Sequence, residues 1–101
     1  MDRNYGGVIW TNHALQRLKE RNVAQGDAWA SWSRPDSSKF DSKKGVWVYR
    51  RVYGNEEFEI VAKKNDRGQW IILSVWVNKV KDHKLHKKSV LKLLLDAFLG
   101  R

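Results

Sequence analysis

Hydrophobic positions along the chain change period twice, and each change marks a new kind of element. After a loose start over residues 1–7, containing Gly6-Gly7, "VIWT" (8–11) reads as a short extended lead. Ala14, Leu15 and Leu18 then recur at helical spacing, predicting a helix that runs to about Arg21. Thr11 stands where an N-cap belongs, and Trp10 and Leu15 have the spacing of a hydrophobic staple across it. A second, weaker helix is expected over 25–32, with Asp27 near its start, Trp29 and Trp32 three apart, and Pro35 beyond its end. The stretch "SRPDSSKFDSKK" (33–44) is polar and rich in Ser, Asp and Lys, and predicts a loop.

The period then becomes two. "VWVYRRVY" (46–53), "EEFEIVAK" (56–63) and "QWIILSVWV" (69–77) alternate as strands. Gly54-Asn55 suits a tight hairpin turn and "KNDRG" (64–68) a second one, so the three predict an antiparallel meander. From Lys79 the pattern is helical again, with Ser89 as a cap, an apolar face through Val90, Leu91, Leu94, Leu95 and Phe98, and Gly100 as a stop. The expected fold is α+β: N-terminal helices packed on a small antiparallel β-meander sheet, with a C-terminal amphipathic helix. One domain accounts for 1–101, with a loose N-terminus (1–7), an α+β core (8–78) and a basic C-terminal helix (79–101).

Strict alternation sorts the strand residues into two faces. One collects Val46, Val48, Val52, Phe58, Ile60, Ala62, Ile71, Leu73, Val75 and Val77, with Arg50 as its charged member, and is expected to meet the helices. The other collects Trp47, Tyr49, Arg51, Tyr53, Glu59, Val61, Lys63, Trp70, Ile72, Ser74 and Trp76. Rings interleaved with cations suit a single-stranded RNA platform, on which bases stack while Lys and Arg meet phosphates. The alternative is that the C-terminal helix covers those rings as a second core layer; in a third arrangement it docks on a partner protein.

Charge sharpens the choice. Twenty Lys and Arg against eleven Asp and Glu give a net +9, which attracts polyanions and makes RNA the first expected partner. Lys84, Lys87 and Lys88 extend a basic edge. No cysteine is present, which excludes a thiolate zinc site, a Cys nucleophile and a disulfide framework. The start "MDRNYGGVIW" has neither the basic opening nor the apolar run of a signal peptide, and no window suits a membrane span. The expectation is a cytoplasmic protein without a membrane partner.

Chemistry concentrates on the first helix. At about 100° per residue, His13, Arg17 and Arg21 form a slanting row from the exposed face toward the core boundary. His13 falls in the first turn, where the helix dipole disfavours its protonation and favours a neutral general base. Arginines beside it suit a phosphate clamp that stabilises charge in a phosphoryl transition state. The other reading is a solvated face, with Arg17 paired to Glu20. His83 and His86, even with Asp82, make an incomplete metal site, there is no glycine-rich phosphate loop, and neither cofactor nor metal is expected.

The segments "NHALQRLKERNV", "WVYRRVYG" and "WIILSVWV" resemble a domain-of-unknown-function family (number 4258), over roughly residues 8–78. That family is similar to the fold group of small metal-independent RNase toxins that includes RelE-like and BrnT-like toxins. The resemblance implies a ribonuclease toxin with an antitoxin partner. By motif position it carries His13, Arg17 and Arg21 over directly, and places Ser74 and Trp76 where the family has Thr and an aromatic. Asn22 departs from the family's Gly, and the lysine-rich segment after residue 79 lies outside its pattern.

The expectations are therefore a metal-independent endoribonuclease acting by 2′-OH attack, a non-catalytic nucleic-acid-binding module, or an interaction module docking through its C-terminal helix. The catalytic candidates are His13, Arg17, Arg21, Arg51 and Ser74. The nucleic-acid-binding candidates are Trp47, Tyr49, Lys63, Trp76, Lys84, Lys87 and Lys88.

Overall fold

In the computed structural model, which describes residues 1–79, the chain folds as two helices on one five-stranded mixed sheet. The elements in order are β1 (Ile9–Trp10), α1 (Asn12–Arg21), α2 (Gln25–Ser33), β2 (Ser37–Asp41), β3 (Val46–Tyr53), β4 (Glu56–Lys64) and β5 (Trp70–Lys79). Across the sheet the strands run β1-β5-β4-β3-β2. The meander of β3, β4 and β5 is present, while β1 pairs parallel to β5, so the sheet is mixed rather than wholly antiparallel. The stretch read as a loop holds β2, an exposed edge strand whose polar side chains carry no period-two signal. The C-terminal amphipathic helix, with Lys84, Lys87 and Lys88, lies outside the described residues. Among those described, no helix is long and apolar enough to cross a membrane.

Local chemistry accounts for the α1 boundaries. The Thr11 hydroxyl accepts a hydrogen bond from the Ala14 amide at 3.0 Å and donates to the Leu73 carbonyl at 3.1 Å, so one side chain caps the helix and ties it to β5. At the other end Asn22 takes the left-handed conformation, φ 56°, and its amide bonds back to the last turn. That is the work a glycine does in a helix stop, and Asn is the other residue that visits this region readily. The departure at Asn22 thus preserves the turn. Gly6 is needed on two counts: it takes φ 69°, and a Cβ there would collide with the Trp29 indole, whose Nε1 donates to the Gly6 carbonyl at 3.0 Å.

The two faces of the sheet differ from the expected ones through the register of β3 on β4 and through an irregularity in β5. In β3 the pairing Arg50↔Glu59 is direct, and the Arg50 Nε donates to the buried Glu59 carboxylate at 2.8 Å. Arg50, with Val46, Val48 and Val52, therefore shares a face with Glu59 and Val61, while Trp47, Tyr49, Arg51 and Tyr53 join Phe58, Ile60 and Ala62. In β5, Val61 pairs with Ser74 but Ala62 with Ile72, which leaves Leu73 as the extra residue of a bulge. The bulge reverses the alternation: Trp70 and Ile72 share the helix side with Val75 and Val77, while Ile71 and Leu73 fall on the opposite side with Ser74 and Trp76. The expected core face is corrected accordingly.

The main core lies between helices and sheet: Val8, Trp10, Ala14, Leu18, Val23 and Ala28 pack on Phe58, Ile60, Ala62, Ile72 and Val75. Trp32 of α2 meets Tyr49 and Trp70 edge-on, at 6.4 and 6.0 Å between centroids. These aromatics lie in the helix–sheet contact because an edge-to-face ring cluster fills the space under α2. On the opposite face a smaller buried cluster holds Val46, Val61 and Leu73, with Ile71 and Trp76 against it.

Candidate functional site

The α1 row keeps its expected alignment, and β5 sets the Trp76 ring against it. Helical spacing of four places His13, Arg17 and Arg21 in line, and α1 runs beside β5 from its Thr11 anchor at Leu73. The Arg21 guanidinium sits over the Trp76 ring, 3.9 Å from its centroid, and that of Arg17 lies at 5.8 Å. The attraction between cation and ring face orients both arginines without consuming their N–H donors. Arg17 spends part of its capacity on Glu20, at 2.7 Å across one helical turn. Arg21 is exposed and has no carboxylate partner among the described residues. It is the donor of the row that a phosphate can reach.

His13 is half-buried, and its pKa is held below the ordinary histidine value. Burial is the larger cause; the Arg17 charge adds to it, and Glu20 pulls weakly the other way. The imidazole is thus neutral near pH 7 and able to take a proton, beside a cation that can hold an anion.

Trp76 shares the α1 edge with the row; the other candidates stand apart. Ser74 is on the face that carries Trp76, but it is buried to 1% exposure. A side chain so enclosed makes no contact with a polymeric ligand. Arg51 is on the helix side of the sheet, where it donates to the Arg34 carbonyl at 2.9 Å and lies over the Tyr53 ring at 5.1 Å. Its job is to fasten the end of α2 to β3, helped by the Tyr53 hydroxyl, which donates to the Asp27 carbonyl at 3.2 Å. Lys63 is exposed, two residues beyond Val61 on its face, near the β4–β5 turn.

The single aromatic-basic platform read from alternation is replaced by two separate places. Trp47 and Tyr49 lie on the helix side and Trp76 on the other. Tyr49 is packed under Trp32, and burial pushes its hydroxyl pKa up. Trp47 extends past α2 and meets Phe40 of β2 at 5.2 Å between centroids. Phe40 was missed because the segment that carries it reads as a loop. The signal available was a lone exposed aromatic between Lys39 and Lys43, where loop composition alone predicts none.

Among the described residues no group of three or more His, Cys, Asp or Glu stands together as a metal cluster. Comparison with protein-family models, with curated proteins and with solved structures gave no match.

Proposed function

We propose that this domain binds RNA and cleaves it without a metal ion, with His13 and the arginine row as its working site. The observation that carries the proposal is a half-buried His13, its pKa held below the ordinary value by burial, in line with Arg21, an exposed guanidinium over the Trp76 ring. In this reaction neutral His13 takes the proton of a ribose 2′-OH, and the freed oxygen attacks the adjacent phosphorus. The bond to the 5′-oxygen breaks, that oxygen takes a proton from water, and a 2′,3′-cyclic phosphate remains. Arg21, with Arg17 behind it, holds the phosphate and offsets the charge that gathers on its oxygens. The net charge of +9 draws the polyanion in. The resemblance to the RNase-toxin fold group supports the same chemistry and makes an antitoxin the protein partner to look for.

A second reading has its own observations. Arg17 is already bonded to Glu20, Ser74 is enclosed and Arg51 is bonded to the Arg34 carbonyl, which leaves His13 with fewer helpers than the full set of candidates. This favours a module that binds nucleic acid and leaves it intact. One experiment separates the two. Purified protein is incubated with RNA in EDTA, with and without ribosomes, alongside His13→Ala. Catalysis predicts a loss of about 100-fold or more in the cleavage rate of the variant. Equal, intact RNA in all samples, with salt-sensitive binding retained, leaves the binding module standing.

A further inference from the structure

The helices stop short of one corner of the sheet, and that corner has the makings of a base-stacking surface. Across the antiparallel pair β2–β3, Phe40 stands opposite Trp47, and both rings are exposed, Phe40 at 46% and Trp47 at 36%. Trp47 lies nearly parallel to Tyr49, 25° between planes at 6.2 Å, and Tyr49 leads to Trp70 beneath Trp32. The aromatic strip therefore begins inside the core and emerges into water at Trp47 and Phe40. Rings on strands lose little freedom when a ligand arrives, because the sheet already fixes their backbone.

Cations flank the open rings. The β2–β3 and β4–β5 turns lie at the same end of the sheet, and they carry exposed Lys43 and Arg67; exposed Lys64 ends β4, its Nζ 5.5 Å from the Trp70 ring centroid. None of these three cations enters an ion pair among the described residues. Asp41, one of the acids nearby, is occupied in its own turn, accepting from the amides of Lys43 and Lys44 at 3.0 and 3.1 Å. Exposed π-faces with unpaired cations at their margin match an unpaired nucleotide: its base stacks and its phosphate meets the lysines. A duplex hides its base faces and has no use for the rings.

We infer that Phe40 and Trp47 form a stacking subsite for single-stranded RNA, so that the substrate of the proposed site is unpaired RNA rather than duplex. This rests on the RNA-binding proposal and adds a subsite distinct from the α1 row. The test measures binding of the full chain to a labelled single-stranded RNA and to a duplex of equal length, for wild type, Trp47→Ala, Trp47→Phe, Phe40→Leu and Arg21→Ala. Trp47→Ala and Phe40→Leu are expected to weaken single-strand binding by about fivefold or more and to leave the duplex unchanged. Trp47→Phe keeps a ring and should stay within about twofold of wild type. Thermal melts accompany each variant; Phe40→Leu keeps an apolar side chain on an exposed edge strand and so supplies the answer where Trp47→Ala melts early.

If Trp47→Ala and Phe40→Leu bind like wild type while Arg21→Ala weakens both RNAs, the stacking subsite is wrong and the RNA reading stands. Equal loss in Trp47→Phe and Trp47→Ala also overturns it, since a ring is then not what the ligand touches. Wild type that binds neither RNA removes both proposals. Sedimentation that shows a dimer abolished by Trp47→Ala assigns the patch to a second copy of the chain, and overturns the subsite too.

Discussion

The α1 edge of β5 and the open corner of β2–β3 use the same ingredients, an indole and nearby cations, and arrange them in opposite ways. At the edge Trp76 is half-buried with Arg21 over its face, so ring and cation satisfy each other. At the corner Trp47 and Phe40 face water, and the cations stand at the margin. The first arrangement holds a guanidinium still, which suits a phosphate at a fixed point. The second leaves ring faces vacant, which suits a ligand that brings its own π-surface. The contrast also explains why composition alone misleads: counting rings and cations gives one platform, and only the pairing of strands divides it.

The division depends on Arg50 and Glu59, so removing Arg50 is the harshest way to break the comparison. Glu59 is fully buried, whereas the Arg50 side chain keeps 26% of its exposure and can return to water when displaced. Arg50→Met strips a buried carboxylate of its arginine, and the expected cost is on the order of 3 kcal/mol in urea denaturation. Adding Glu59→Gln should recover part of that loss, because the enclosed charge is gone. A neutral Arg50→Met would mean that apolar packing alone sets the register of β3 on β4.

A milder pair of variants compares the two rings directly. Trp76 packs on Val46, Val61 and Leu73 and carries two guanidinium groups, so Trp76→Ala should cost about 2–3 kcal/mol. Trp47 contacts Phe40 and Tyr49 at a surface corner, and Trp47→Ala should cost about 1 kcal/mol. Equal losses would erase the distinction between a ring that braces the fold and a ring left at the surface.

These differences mark where the sequence was legible. The α1 helix could be read residue by residue from the Thr11 cap through Ala14 and Leu18, which act through neighbours in the chain, whereas Asn22, read only as a departure from glycine, proves to be its left-handed stop. The two turns of the meander were equally plain: Gly54 takes φ 60°, Gly68 takes φ 76°, and the Asn65 side chain accepts from the amides of Arg67 and Gln69. The faces of β3 were not, because "VWVYRRVY" has bulky apolar residues at both parities and only the opposite strand chooses between them. The bulge at Leu73 has no local signature, and it exchanges the faces of Trp70 and Ile72 with those of Ile71 and Leu73 relative to simple alternation, while Val75 and Ser74 stay where alternation puts them. The candidate site divides along the same line. His13, Arg17 and Arg21 could be grouped from spacing because they share one helix, while Arg51 and Ser74 were grouped with them across contacts that sequence spacing does not encode.

The smallest expected effect belongs to His13 itself and distinguishes the two regions by pH. In the fold its imidazolium is disfavoured by burial and by Arg17, so its pKa lies below the ordinary value of 6.5. Between those two values the unfolded chain binds more protons than the folded one, and stability must fall as pH falls. The contribution is complete above about pH 6.5 and stops changing once pH has dropped below the folded value. Glu20, also lowered, loses its contribution only in the acid range of carboxylates, a separate window. At the open corner Tyr49 shifts upward from 10.0, far from either window. Thermal melts of wild type and His13→Gln from mildly alkaline to mildly acid pH should therefore diverge, with wild type losing more stability as pH falls, and His83 and His86 cancelling in the comparison. Trp47→Ala should follow the wild-type slope. Parallel curves for wild type and His13→Gln would place a freely titrating imidazole at the α1 edge, and the neutral base on which the cleavage proposal relies would have no special origin in the fold.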